Sequence, residues 1–534
     1  MHPSGRLDPR RATLAAAILG SSIVFLDSTV VNVALPKIGE DLRSGVLGVL
    51  EGQSYVYNGY LLTLSALLIL GGALADVYGR RRMFAIGLVA FGGSSVLCGV
   101  APSLETLIVF RIVQGAAGAL LVPGSLAIIT STFRGVELGR AFGLWAGASA
   151  ATSVLGPFVG GVLVQLVSWR AAFLINVPFV LVALWLTWTR VAESRDPSAE
   201  RAFDWGGAAV VAIALAGLSF GAIYGQQHEW EGWIGQASLA IGIAAAIGFV
   251  VLMARGRHPL VPLGLFRSRN FAVANLSTML IYGALYVSSY TQGLFVQGTL
   301  GYTASAAGLL GLPGSLMLAL FSSRVGAVAA RVGFRRFMAI GPAIMGAGLL
   351  WLVRVPPDSA PWGLQPNDLR TWVPPSGYLV DFLPAMLLFG TGLAIMVAPL
   401  TSAVMTSVSS SRAGLASAIN NAISRVGPQL AGALVFVAIT AAFYAGVASR
   451  VPGVDAGSSQ FRASVAPLNL AGASASGQVL DAARLASADA FHLAMLIAAA
   501  LLFLGAVVNA IGIRDPERGA AGASAPEPAA ASSA

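Results

Sequence analysis

Apolar runs of about twenty residues recur from one end of this chain to the other, and no other feature limits its fold as severely. A run of that length crosses the roughly 30 Å hydrocarbon core of a bilayer as one helix. Between loop signals the sequence offers fourteen such runs, the first over 12–35 and the last over 488–512. With 56% hydrophobic and only 10% charged residues in 534 positions, a water-soluble fold would have to expose a largely apolar surface. The expectation is an all-α polytopic membrane protein with fourteen transmembrane helices.

The net charge of +9 does not form a nucleic-acid-binding face, because the cations sit in short loops between the runs. Alternate loops collect Arg6, Arg10, Arg11, Arg80, Arg81, Arg82, Arg134, Arg140, Arg190 and Arg195, then Arg255, Arg257, Arg267, Arg269, Arg331, Arg335, Arg336 and Arg514. The intervening loops are poor in cations, which places both termini in the cytoplasm. All but one of the 32 basic residues are Arg, the exception being Lys37, a bias that fits a high-GC bacterial gene and a bacterial plasma-membrane location. The basic start and apolar run at the N-terminus lack a convincing cleavage site and read as an uncleaved first helix. The lone Cys98 permits no internal disulfide.

An internal repeat is present. "GALADVYGRRRMF" at 72–84 matches "GAVAARVGFRRFM" at 326–338, placing Gly79 against Gly333 and Asp76 against Ala330. The same offset sets Asp27 against Ile281, so the charged residues belong to the first copy. The repeat divides the chain into two pseudo-symmetric six-helix halves, 12–200 and 257–512, with two inserted helices over 201–256 and a low-complexity cytoplasmic tail over 513–534.

"LDSTVVNVALP" in the first run, "GGALADVYGRRR" after the second, "RIVQGAAGA" in the fourth, "GASAATSVLGPFVGG" in the fifth and "WRAAFLINVPF" opening the sixth stand in a fixed order. In that order, with two inserted spans, they resemble the fourteen-span drug:proton antiporters of the major facilitator superfamily, the QacA/EmrB-like group. The resemblance covers residues 12 to 512. It implies export of hydrophobic compounds driven by proton entry, with a latch at the cytoplasmic loop and an exporter signature in the fifth span.

The residues also speak for themselves. An ionised acid at bilayer depth costs roughly 2.5–3.5 kcal/mol on insertion scales, so Asp27 in the first run needs a partner. Arg111 lies at matching depth in the fourth run and can neutralise it; the pair reads as a proton-coupling site or as a structural ion pair. Asp76, Gly79, Arg80 and Arg81 read as a gate latch, with topology charge as the plainer alternative. Gly156, Gly160 and Gly161 permit close helix approach, and Pro157 is expected to bend its helix. Tyr282, Tyr286 and Ser289 share one helical face with Tyr290 beside them, and Asn420 and Asn421 lie on the thirteenth span; all are candidates for a substrate cavity, as against an interfacial aromatic belt. Asp381 is the possible second acid.

Nothing in the sequence supports an enzyme. His2, His228, His258 and His492 form no metal-ligand spacing, and no phosphate-binding loop appears, so no metal, cofactor or nucleotide is expected. The reading is proton-coupled efflux of lipophilic, cationic compounds by a monomer in contact with membrane lipid. The alternatives are export of one dedicated metabolite, antibiotic or lipid, and a non-transporting sensor or scaffold.

Overall fold

The computed structural model describes residues 8–42, 49–195, 204–227, 232–256, 259–365, 368–409, 412–458, 461, 465, 467–468 and 477–515. The polar tail and much of the 446–487 loop lie outside the described residues. Pro157, with its expected bend, and Gly161 lie within α5, where only their backbone is described.

The described chain is helical throughout. The first half contains α1 (Pro9–Asp41), α2 (Val49–Tyr78), α3 (Arg80–Gly99), α4 (Leu104–Thr132), α5 (Gly135–Leu166) and α6 (Ala171–Arg190). Then come α7 (Trp205–Gln227) and α8 (Trp233–Arg255). The remainder is α9 (Arg269–Leu294), α10 (Leu312–Val332), α11 (Arg335–Leu352), α12 (Leu383–Thr406), α13 (Ala413–Arg450) and α14 (Gly477–Gly512), with a short turn of helix at Ala304–Leu310 ahead of α10. Among the described residues, 12 helices are long and apolar enough to cross a membrane. The two outside that set are α5, parts of which are not described, and α11, which opens on two arginines.

The apolar surface stays on the outside, as lipid requires. Only Gly235, Gly242 and Met253 of α8 are buried, and Trp185 and Trp188 of α6 are more than half exposed. Inside, α1 packs on α4, α5 and α6, and α2 and α3 pack on α4. Likewise α9 packs on α13 and α14, and α12 on α10 and α11. Two seams join these groups, α2 against α13 and α5 against α10, and α7 lies against both α2 and α13. Asp204 fixes the start of this insertion: its carboxylate accepts from the Gly207 and Leu260 N–H groups at 2.7 and 3.1 Å.

The internal repeat is visible in the backbone. Gly79 and Gly333 each open an interhelical turn with positive φ, +108° and +104°, a conformation that favours glycine. The helix that follows each is capped by an acid from the end of the same group. Glu193 accepts from the N–H groups of Arg81 and Arg82 at 3.0 and 3.1 Å, and Asp515 from that of Arg335 at 3.0 Å. Such carboxylates satisfy donors that a helix start leaves unpaired.

Candidate functional site

The candidate site is built where α1, α3, α4 and α6 meet. Asp27 and Arg111 are both fully buried and touch: Arg111 Nη1 donates to Asp27 Oδ2 at 2.5 Å. The other carboxylate oxygen, Oδ1, accepts from Gln114 Nε2 at 3.0 Å and from Asn176 Nδ2 at 2.9 Å. Ser95 ties these two amides together, accepting from Gln114 at 2.7 Å and from Asn176 at 3.3 Å. The guanidinium is held as firmly. Its Nη1 also donates to Gln114 Oε1 at 2.7 Å and its Nε to the Val56 carbonyl at 3.1 Å. The Tyr60 ring lies 4.1 Å from it, and Phe173 5.7 Å. Nη2 is buried without a hydrogen-bond partner among the described residues.

This is a desolvated ion pair with neutral hydrogen-bonding walls. Such a pair adds little to stability over an apolar filling, because taking both charges out of water offsets their attraction. The repeat offset puts Ile281 opposite Asp27 and Leu349 opposite Ser95, both buried and apolar, so the second group has no counterpart to this network.

Two further contacts surround the site. Gly156 and Gly160 of α5 lie against Thr29 and Val30 of α1, two and three residues beyond Asp27; a Cβ on Gly156 would collide with Thr29 Oγ1, and one on Gly160 would stand 3.0 Å from the Val30 carbonyl. At the end of α2, Asp76 Oδ1 accepts from Arg80 Nε and Nη2 at 3.1 and 2.9 Å, while Oδ2 accepts from the Leu415 N–H at 2.9 Å, in the first turn of α13. At the other seam Ala330, the repeat counterpart of Asp76, packs on Gly139, and Gly143 lies against the Ser323 backbone.

The other expected residues do not converge on one surface. Tyr286 stacks on Tyr290 at 5.9 Å, and Tyr290 meets Phe436 edge-on at 5.0 Å. Tyr282 is within electrostatic reach of Arg425. Ser289 instead lines a separate cavity of about 210 Å³ with Ser288, Gln292 and Phe389, so the helical face splits. The Asn420 amide is committed to Asn275 and Thr278 of α9, at 3.1 and 2.8 Å, and Asn421 to Ser417 of its own helix. Both are brackets within the second group rather than free cavity walls. Asp381 accepts from Ser359, in the segment ahead of α12, at 2.6 Å and is partly exposed.

Gln114, Ser95 and Asn176 were missed as site residues. Their signal was present: Gln114 follows Arg111 by three positions, one face of a helix, inside an otherwise apolar run.

An all-helical bundle with a buried ion pair beside two seams fits a polytopic membrane transporter. The chain belongs to the Major Facilitator Superfamily, whose family model matches residues 17–432. It is 34% identical over 419 residues to the multidrug resistance protein Stp of Mycobacterium tuberculosis, covering 78% of this chain and 73% of that one. It is 32% identical over 430 residues to the tetracenomycin C resistance and export protein of Streptomyces glaucescens, covering 80% and 75%. In fold it is similar to the proton:xylose symporter XylE, with a TM-score of 0.57 at 16% identity over 93% of this chain and 94% of that one. The protein is a transporter and not an enzyme.

Proposed function

We propose that this chain exports lipophilic, drug-like compounds across a bacterial plasma membrane in exchange for protons, by alternating access of two six-helix halves. In this reading it crosses the bilayer fourteen times with both termini in the cytoplasm, and α7 and α8 are inserted between the halves. The names of its relatives support efflux, and the tetracenomycin relative favours a dedicated exporter as the second reading.

One observation supports the coupling: the buried carboxylate of Asp27 faces Arg111, Gln114 and Asn176 and, among the described residues, bonds to no second acid. Ionised, it accepts from all three. Protonated, it loses its attraction for Arg111 and offers a donor where each neighbour also presents one. The mismatch loosens α1 from α4. Because α5 is seated on α1 at Thr29 and Val30, the shift passes through Gly156 and Gly160 to the α5/α10 seam. One entering proton supplies about 2.3 kcal/mol per 100 mV and about 1.4 per pH unit, enough for a ten- to hundredfold gradient.

The test is accumulation of substrate in reconstituted vesicles driven by an imposed pH gradient. Asp27→Asn keeps size and hydrogen bonding but exchanges no proton; it is expected to bind substrate and equilibrate it without accumulating it. Gradient-driven accumulation by Asp27→Asn sinks the coupling role and leaves the pair a structural one.

A further inference from the structure

The mechanism above leaves one half-buried cation unused. Arg425 of α13 lies ten positions past Leu415, about 15 Å from the cytoplasmic latch along the helix. Its Nε is shut off from solvent without an acceptor, and among the described residues it forms neither a hydrogen bond nor an ion pair. The groups that do surround it are phenols: Tyr57 and Tyr60 from α2 and Tyr282 from α9 lie within electrostatic reach. One turn further along the same helical face, the side-chain oxygen of Gln429 is also buried without a donor. Between them Pro428 interrupts α13, lacking the N–H that would bond the Ser424 carbonyl.

A guanidinium partly open to solvent, with its Nε buried and no acid bonded to it among the described residues, is a cation that a ligand can reach and pair with. An unmet donor and an unmet acceptor one turn apart, walled by aromatic rings, match a flat ligand with an ionised oxygen beside a hydroxyl or amide. A cation would face Arg425 with nothing to offset the repulsion. Resting on the efflux reading above, we propose that the substrate is a lipophilic aromatic anion that pairs with Arg425 and reaches Gln429. This reverses the charge expected from the sequence.

The experiment compares two dyes on one ring frame, anionic fluorescein and cationic rhodamine 6G, by fluorescence anisotropy with the detergent-solubilised full chain and no gradient. The wild type is expected to bind fluorescein more tightly. Arg425→Gln is expected to lose about tenfold or more in fluorescein affinity, as for a buried charge-assisted hydrogen bond, and to bind rhodamine 6G no less well. Arg425→Lys recovers part of the anion preference, and Gln429→Leu weakens fluorescein more than rhodamine 6G. Preference of the wild type for rhodamine 6G, failure to bind fluorescein, or equal loss of both dyes in Arg425→Gln overturns the inference. If Arg425→Gln does not fold, the wild-type preference and the Gln429→Leu comparison decide it. Asp27→Asn keeps the preference, so this result and the coupling test fail separately.

Discussion

Asp76 and Leu415 stand 339 positions apart in the chain and 2.9 Å apart in space, joined by a carboxylate oxygen and a backbone N–H. The acid therefore meets α13 at its positive end and ties α2 to it across one seam; in the proposed orientation this is the cytoplasmic edge. Asp76→Asn keeps an acceptor but removes the charge, worth about 0.3–1 kcal/mol against a helix dipole and up to about 2 when partly buried. Expression is expected to hold, the cytoplasm-open population to rise several-fold, and turnover to fall. Spin-label distances across α2 and α13 read the population; an unchanged distribution with full transport removes the latch.

The second seam depends on close backbone approach. A Cβ on Gly143 meets the Ser323 backbone, whereas one on Gly293 meets nothing within 4 Å. Gly143→Ala is expected to cost about 1–3 kcal/mol in the closed arrangement and to slow transport, with Gly293→Ala near wild type. Equal transport rates in the two variants rule out a tight α5/α10 contact.

Orientation is open to a labelling test. With Cys98 replaced, Leu369→Cys in the loop before α12 is 79% exposed and should react with impermeant maleimide from outside intact cells. Arg336→Cys, at the start of α11, should react only after lysis. The opposite pattern inverts the assignment of the termini.

The repeat predicts matched penalties. Gly79 and Gly333 share positive φ and stand against the carboxylates of Glu193 and Asp515, so alanine at either is expected to destabilise by about 1–2 kcal/mol. Melting of the purified variants checks it; a neutral Gly333→Ala beside a destabilised Gly79→Ala breaks the equivalence.

The helical runs and the cytoplasmic repeat could be read from sequence because bilayer thickness and positive φ leave long-lived local marks. Matched depth made Asp27 and Arg111 possible partners, but their contact is visible only in the fold. The amide walls were not legible either, since Gln114 and Asn176 become site residues only when α4 and α6 converge on α1. The capping acids were hidden for a related reason: Glu193 and Asp515 look like ordinary loop charges until the chain returns to α3 and α11. Asn420 shows the converse, a polar residue on a plausible face whose amide donates to Asn275 and Thr278 of α9, partners the sequence did not indicate.

The placement of α7 against both α2 and α13 has a bearing on how a membrane-dissolved compound arrives. A lipophilic molecule partitions into the bilayer long before it meets a transporter in water, and its shortest path inward is sideways, between helices of opposite halves. The inserted pair roofs the α2/α13 flank and separates it from the acyl chains. Neither α7 nor α8 packs on α5 or α10 among the described residues, so a compound entering from the lipid on that flank would meet the small residues of the α5/α10 contact directly.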